Sequence, residues 1–120
     1  MDCLVDTNVV LRAADHAHRF SSEARSAMMV LFKNGYRLCL AKQSLVESWV
    51  VATRPRDVNG FGLSARFAAA ELHRARKIFH ILPETDEIYG QWQTLVMQYQ
   101  VLGKGAYDAR LVAAMRVHGI

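Results

Sequence analysis

The stretch Leu4-Val5-Asp6-Thr7-Asn8-Val9-Val10 (LVDTNVV) places an acidic residue at the end of a short apolar run and resumes apolar residues directly after it. Residues 2–6 (DCLVD) read as a strand buried on both faces, because such strands are continuous apolar runs and do not alternate. A short helix is expected from Asn8 to about Ala14. A carboxylate at that junction needs a partner, since burying an unpaired charge is costly or shifts its pKa. The partner is a helix N-terminus, a basic side chain or a metal ion.

Outward from this stretch, helical and extended patterns alternate. Ala24, Ala27, Met28, Leu31 and Phe32 recur at helical spacing between Ser21 and Asn34-Gly35, which predicts a capped helix over 22–34. YRLCLA (36–41) reads as a second strand. A helix from about Lys42 must stop before Pro55, and RPRDVNGFG then reads as a loop with an Asn-Gly turn. Ser64 is placed to cap the next helix, whose stripe is Phe67, Ala68, Leu72, Ala75 and Phe79. FHILP (79–83) is a third strand. Ile88, Trp92, Leu95, Val96 and Tyr99 mark a further helix. After Gly103-Lys104-Gly105 a last helix runs to Gly119, and Ile120 reads as the start of a fourth strand. Alternating strands and helices call for an α/β sandwich with a central parallel sheet covered on both faces.

The chain has 120 residues, 52% hydrophobic and 22% charged, which suits one globular domain with a real core. Its apolar runs are too short and interrupted to span a bilayer. No basic start and apolar stretch of a secretory signal is present. Cys3 and Cys39 sit inside apolar runs and read as buried, reduced thiols, pointing to the cytoplasm. Net charge is +4, and Arg outnumbers Lys by eleven to four. Arg suits bidentate phosphate contacts, so a polyanionic partner is expected, with small clusters at Arg54/Arg56 and Arg74/Arg76/Lys77. The alternative is a solvated basic surface.

In a parallel sheet, ligands bind outside the carboxyl ends of the strands. Asp6 ends the first strand at that edge. Glu47 lies in the first turns of the helix leaving the second strand, with Ser44, Val50 and Val51 as its helical neighbours. Asp108 falls in the first turn of the last helix, which must start from the same edge if the strand after it is parallel, with Leu111 and Val112 facing inward. Singly, Asp6 or Asp108 reads equally well as a helix cap, and Glu47 as a partner for Lys104 or an Arg. Jointly, three anions raise each other's pKa unless a cation joins them. Oxygen ligands without a His or Cys cluster suit Mg²⁺ or Mn²⁺. Carboxylates around a divalent ion, on a basic protein, are the apparatus of metal-assisted phosphodiester hydrolysis. Thr7, Asn8 and Ser44 are placed to orient the acids or a water by hydrogen bonds.

VDTNVVLR (5–12), SLVESWVVATRP (44–55) and YDARLVAA (107–114) resemble the PIN-domain ribonucleases, and most closely the VapC-type toxins of toxin–antitoxin pairs. The resemblance implies a three-layer α/β/α fold, Mg²⁺- or Mn²⁺-dependent cleavage of RNA, a homodimer, and a cognate antitoxin. The acidic positions carry over as Asp6, Glu47 and Asp108, and the supporting polar positions as Thr7, Asn8 and Ser44. That family often has a further acid just beyond the last core strand, and this chain reaches Ile120 before such a strand is complete. Two other readings compete. A phospho-accepting receiver domain would want an acceptor Asp ending the third strand, where this chain has Leu82-Pro83-Glu84. A non-catalytic PIN-like module would bind RNA or protein without cutting. GFGLSA (60–65) matches a dinucleotide-binding pattern but follows a Pro-containing loop and not a strand.

Overall fold

β1 (Asp2–Leu4) lies parallel to β2 (Arg37–Ala41) with Asp2 opposite Arg37, Cys3 opposite Leu38 and Leu4 opposite Cys39, in a computed structural model that describes residues 1–120. Val5 N–H prolongs the ladder to Cys39 O at 2.9 Å. With β3 (His80–Leu82) the sheet has three strands in the order β1-β2-β3. Parallel strands need long crossovers. Between β1 and β2 these are α1 (Thr7–Ala14) and α2 (Ser21–Lys33); between β2 and β3 they are α3 (Lys42–Thr53) and α4 (Ala65–Ile78). The α/β class read from the sequence is the class observed.

The chain divides into two compact units, Met1–Ile81 and Leu82–Ile120. The core of the first is built on Val5, Leu38, Leu40 and Phe79, with Val9, Val10, Met28, Leu31, Leu45, Ala75 and Ile81 packed against them. Four successive residues of β2, Leu38 to Ala41, are all buried. That explains why this strand reads as an unbroken apolar run.

Local chemistry sets the element ends. Asp6, in extended conformation, accepts a hydrogen bond from Asn8 N–H and caps α1, which starts one residue earlier than expected. Ser21 is not the cap of α2. It is the first helical residue, and its buried hydroxyl donates to Ala13 O, tying the start of α2 to the end of α1. Ser64 does cap α4, accepting from Phe67 N–H. After α3, Arg54 organises the expected turn: its carbonyl accepts from Gly62 N–H and its Nη2 donates to Asn59 O. Asn59 is left-handed (φ 65°), and a Cβ at Gly60 would stand 1.8 Å from Arg54 O, so only glycine fits there.

Two aromatic residues assigned to core stripes are exposed, Phe32 at 67% and Phe67 at 66%. The buried stripe of α4 runs through Ala68, Leu72, Ala75 and on to Phe79, and Phe67 stands about 100° to one side of it. Phe32 is likewise one residue past the inward-facing Leu31.

In the second unit, α5 (Asp86–Gln98) and α6 (Gly105–His118) pack around Ile88, Leu95, Ala113 and Ala114, with Trp92 and Val117 against them. Trp92 is a core residue, and its Nε1–H donates to Ala106 O at 2.8 Å. The segment entering α5 is held to α6 by the paired carboxylate and guanidinium of Glu84 and Arg110, and by His118 Nε2–H donating to Pro83 O. Tyr99 and Val112, expected to face inward, are exposed. Ile120 belongs to no strand. Gly119, left-handed at φ 69°, closes α6 and turns Ile120 N–H back to Met115 O.

Burial makes one buried and one exposed apolar residue testable against each other. Leu40→Ala, at a site 1% exposed, should cost about 2–5 kcal/mol. Phe67→Ala should stay within about 0.5 kcal/mol, as surface changes do; urea unfolding followed by tryptophan fluorescence measures both.

The forked contact of Arg37 Nε and Nη2 with the two oxygens of Asp2, 2.8 Å each, yields a pH test. The hydrogen-bonded guanidinium holds the Asp2 carboxyl below its ordinary 3.8, against the opposing effect of burial. A lowered folded-state value contributes stability above 3.8 that is lost as pH falls through the lowered value. Arg37→Met should therefore melt at a lower temperature than the parent at neutral pH. The gap should close on acidification; one that stays constant would remove the pair from the account. The effect will be small, because both groups meet solvent.

Candidate active site at the carboxyl end of the sheet

Because β1 and β2 are parallel, the helices that follow them leave from the same edge. α1 begins just after Asp6, and α3 begins directly from Ala41 with no intervening loop. Residues forty positions apart thereby meet: Thr7 Oγ1–H donates to Glu47 Oε2 at 3.1 Å. The other carboxylate oxygen, Oε1, accepts from Gln43 Nε2 at 2.8 Å. Thr7 is buried, Glu47 is half-buried, and Asp6 and Asn8 are exposed. Ser44 is 1% exposed, and its Oγ has no hydrogen-bond partner. A buried hydroxyl left unpaired is uncommon, and this one sits one helical turn before Glu47.

Asp6 is thus not a buried charge, and the N-terminus of α1 is a partner for it. Its acidity on its own does not require a metal. Within the first unit no three His, Cys, Asp or Glu side chains form a ready ligand set. Asp6 and Glu47 are the two carboxylates the first unit brings to this edge, with hydroxyls at Thr7 and Ser44. These are hard oxygen donors, and they fit Mg²⁺, which takes one or two protein carboxylates and keeps several waters. Asp108 lies in the second unit, exposed in the first turn of α6, where the helix dipole favours a negative charge.

Of the basic pair, Arg56 is exposed, whereas Arg54 is engaged with its own loop. Both lie past the far end of α3, Arg54 about 10 Å along the helix axis from Glu47. The large cavity of the first unit, about 560 Å³, is apolar, lined by residues such as Leu11, Met28, Leu45, Leu72 and Phe79, and excludes Asp6 and Glu47. Sequence reasoning passed over Gln43. Its signal was the four-residue spacing to Glu47 on one helix face.

No curated protein sequence matches the chain. Among solved structures, it is similar to a chain in the crystal structure of VapBC2 from Rickettsia felis bound to a DNA fragment from their promoter. The TM-score is 0.67 at 13% identity, covering 96% of this chain and 80% of that one. At that identity the similarity concerns the fold. The PIN domain family matches residues 3–120, a span that takes in Asp6, Glu47 and Asp108. With its parallel sheet and the acid-bearing helix starts at the carboxyl edge, the chain belongs to the PIN-domain family.

Proposed function

We propose that this chain is a divalent-metal-dependent endoribonuclease, the toxin of a toxin–antitoxin pair, acting in the cytoplasm as a homodimer restrained by its cognate antitoxin. PIN domains are generally nucleases. The observation that carries the reading is the hydrogen bond from Thr7 to Glu47, which draws the end of β1 and the start of α3 together around two carboxylates. The VapBC2 complex that the fold resembles supports the antitoxin partner.

In this reading Asp6 and Glu47 hold Mg²⁺ or Mn²⁺ at the carboxyl edge. Asp108 joins them as a third acid on the family likeness of its block, YDARLVAA. A divalent ion there supplies charge to polarise a phosphodiester and to activate a water. The chain's own part is to fix its ligands. Thr7 holds one oxygen of Glu47, the N-terminus of α1 holds Asp6, and the exposed side chain of Asn8 is available to a water or a phosphate oxygen, with the Ser44 hydroxyl buried one turn before Glu47. Arg56, with Arg54, contributes to a basic surface for the RNA backbone.

Asp6→Asn keeps a good helix cap while removing the charge, so loss of activity would not be loss of fold. Asp6→Asn and Asp108→Asn should each lower Mg²⁺-dependent cleavage of structured RNA by more than the roughly 10–100-fold typical of an outer-shell partner. Near wild-type rates at saturating Mg²⁺ in either variant would remove that residue from the site. A parent protein that binds RNA without ever cutting it would establish the alternative, a non-catalytic PIN-like module.

RNA affinity should fall linearly with salt on logarithmic axes. Arg56→Gln should reduce that slope by about 1 if its guanidinium meets a phosphate. An unchanged slope would shift the phosphate contacts to other basic residues, with Arg74 and Arg76 next in line.

A further inference from the structure

We propose that Gln43 is a positioning residue for the metal site: its side-chain amide fixes the carboxylate of Glu47 so that one face of it is presented to a cation. The inference rests on the metal-site reading above and adds a residue to it. Gln43 and Glu47 are neighbours one turn apart on α3, and Gln43 Nε2 reaches Glu47 Oε1 at 2.8 Å. Thr7 reaches the other oxygen from a different segment of the chain. A glutamate on an exposed helix turn samples many rotamers. Here each oxygen receives one donor, and the two donors come from separate elements, so the carboxylate has a single orientation. An ionised carboxylate offers about four lone-pair directions. With one on each oxygen engaged, the remainder are left for a ligand.

The chemical type of the clamp matters as much as its reach. Both donors are neutral, so the carboxylate is oriented without having its charge cancelled. A Lys at position 43 would supply a donor of similar reach together with a positive charge beside the cation site. A Glu there would set a like charge against Glu47. An amide is the group that orients and leaves the charge in place, and ligating carboxylates are commonly held by such hydrogen bonds.

The test is calorimetric titration of the full chain with Mn²⁺ alone, paired with melting temperatures recorded without metal. Gln43→Met keeps side-chain length and helix propensity while removing the amide donor and leaving Thr7 in place. It should weaken Mn²⁺ binding by about 10-fold with the metal-free melting temperature unchanged. Gln43→Lys should weaken binding further. Wild-type affinity in Gln43→Met would overturn the proposal, as would a loss matched by a drop in the metal-free melting temperature, which would mark Gln43 as structural only. If the parent binds no Mn²⁺, the metal site itself fails and Gln43 with it, so the two failures are told apart by the first titration.

Discussion

Two parallel strands cannot be joined by a tight turn, and that constraint organises the first unit. Once Leu4 lies opposite Cys39, the chain must cross the sheet through α1 and α2 before β2 can form, and again through α3 and α4 before β3. Within this unit α1 and α3, which follow β1 and β2, therefore start from the same edge. Val5 N–H bonded to Cys39 O is the last rung before that edge, and the polar residues Asp6 and Thr7 follow it immediately. On the neighbouring strand, α3 starts straight after Ala41, so Gln43, Ser44 and Glu47 occupy its opening turns at the same level. The site is a consequence of strand pairing, assembled from side chains that have no sequence proximity.

What the pairing brings together is mostly neutral. Glu47 is held by a hydroxyl and an amide, Asp6 by a backbone N–H, and the Ser44 hydroxyl by nothing. The formal ion pairs lie elsewhere, at Asp2 with Arg37 on the sheet, at Glu71 with Arg74 on α4 and at Glu84 with Arg110 beside α6. Negative charge at the edge is thus oriented and left uncancelled. That arrangement suits the divalent cation proposed for this edge. The basic residues serve two different ends. Arg54 shapes the loop after α3 around Gly60, while Arg56 stays exposed to solvent.

Strand and helix positions were legible in the sequence because they follow from periodicity. Continuous apolar runs gave β1, β2 and β3, and recurrence at three and four residues gave the helices. Pro55 and the glycines at 35, 103 and 119 marked breaks for a stereochemical reason that acts locally. The misplaced aromatic residues share one cause. Phe32, Phe67 and Tyr99 were assigned inward because they recur at helical spacing with other apolar residues, but a helix has only one buried stripe, and its rotation is fixed by what packs against it. Ser21 looked like a cap because cap chemistry is common at that spot, whereas its hydroxyl went to a carbonyl of the preceding helix. Ile120 looked like a strand residue, yet the left-handed Gly119 returned its N–H to α6.

By itself, the sequence determined the α/β class, the parallel character of the sheet and the succession of its three strands and their helices, because these depend on residue type and local spacing. Only the tertiary structure decided which atoms meet. That Thr7 donates to Glu47 across forty residues depends on strand register. That Gln43 and Thr7 take opposite oxygens of one carboxylate depends on the rotation of α3. Asp6 is exposed and not buried, and of the partners the sequence left open the structure shows the helix N-terminus, Asn8 N–H. Register and helix rotation are set by packing between segments distant in the chain, and local pattern carries no information about them.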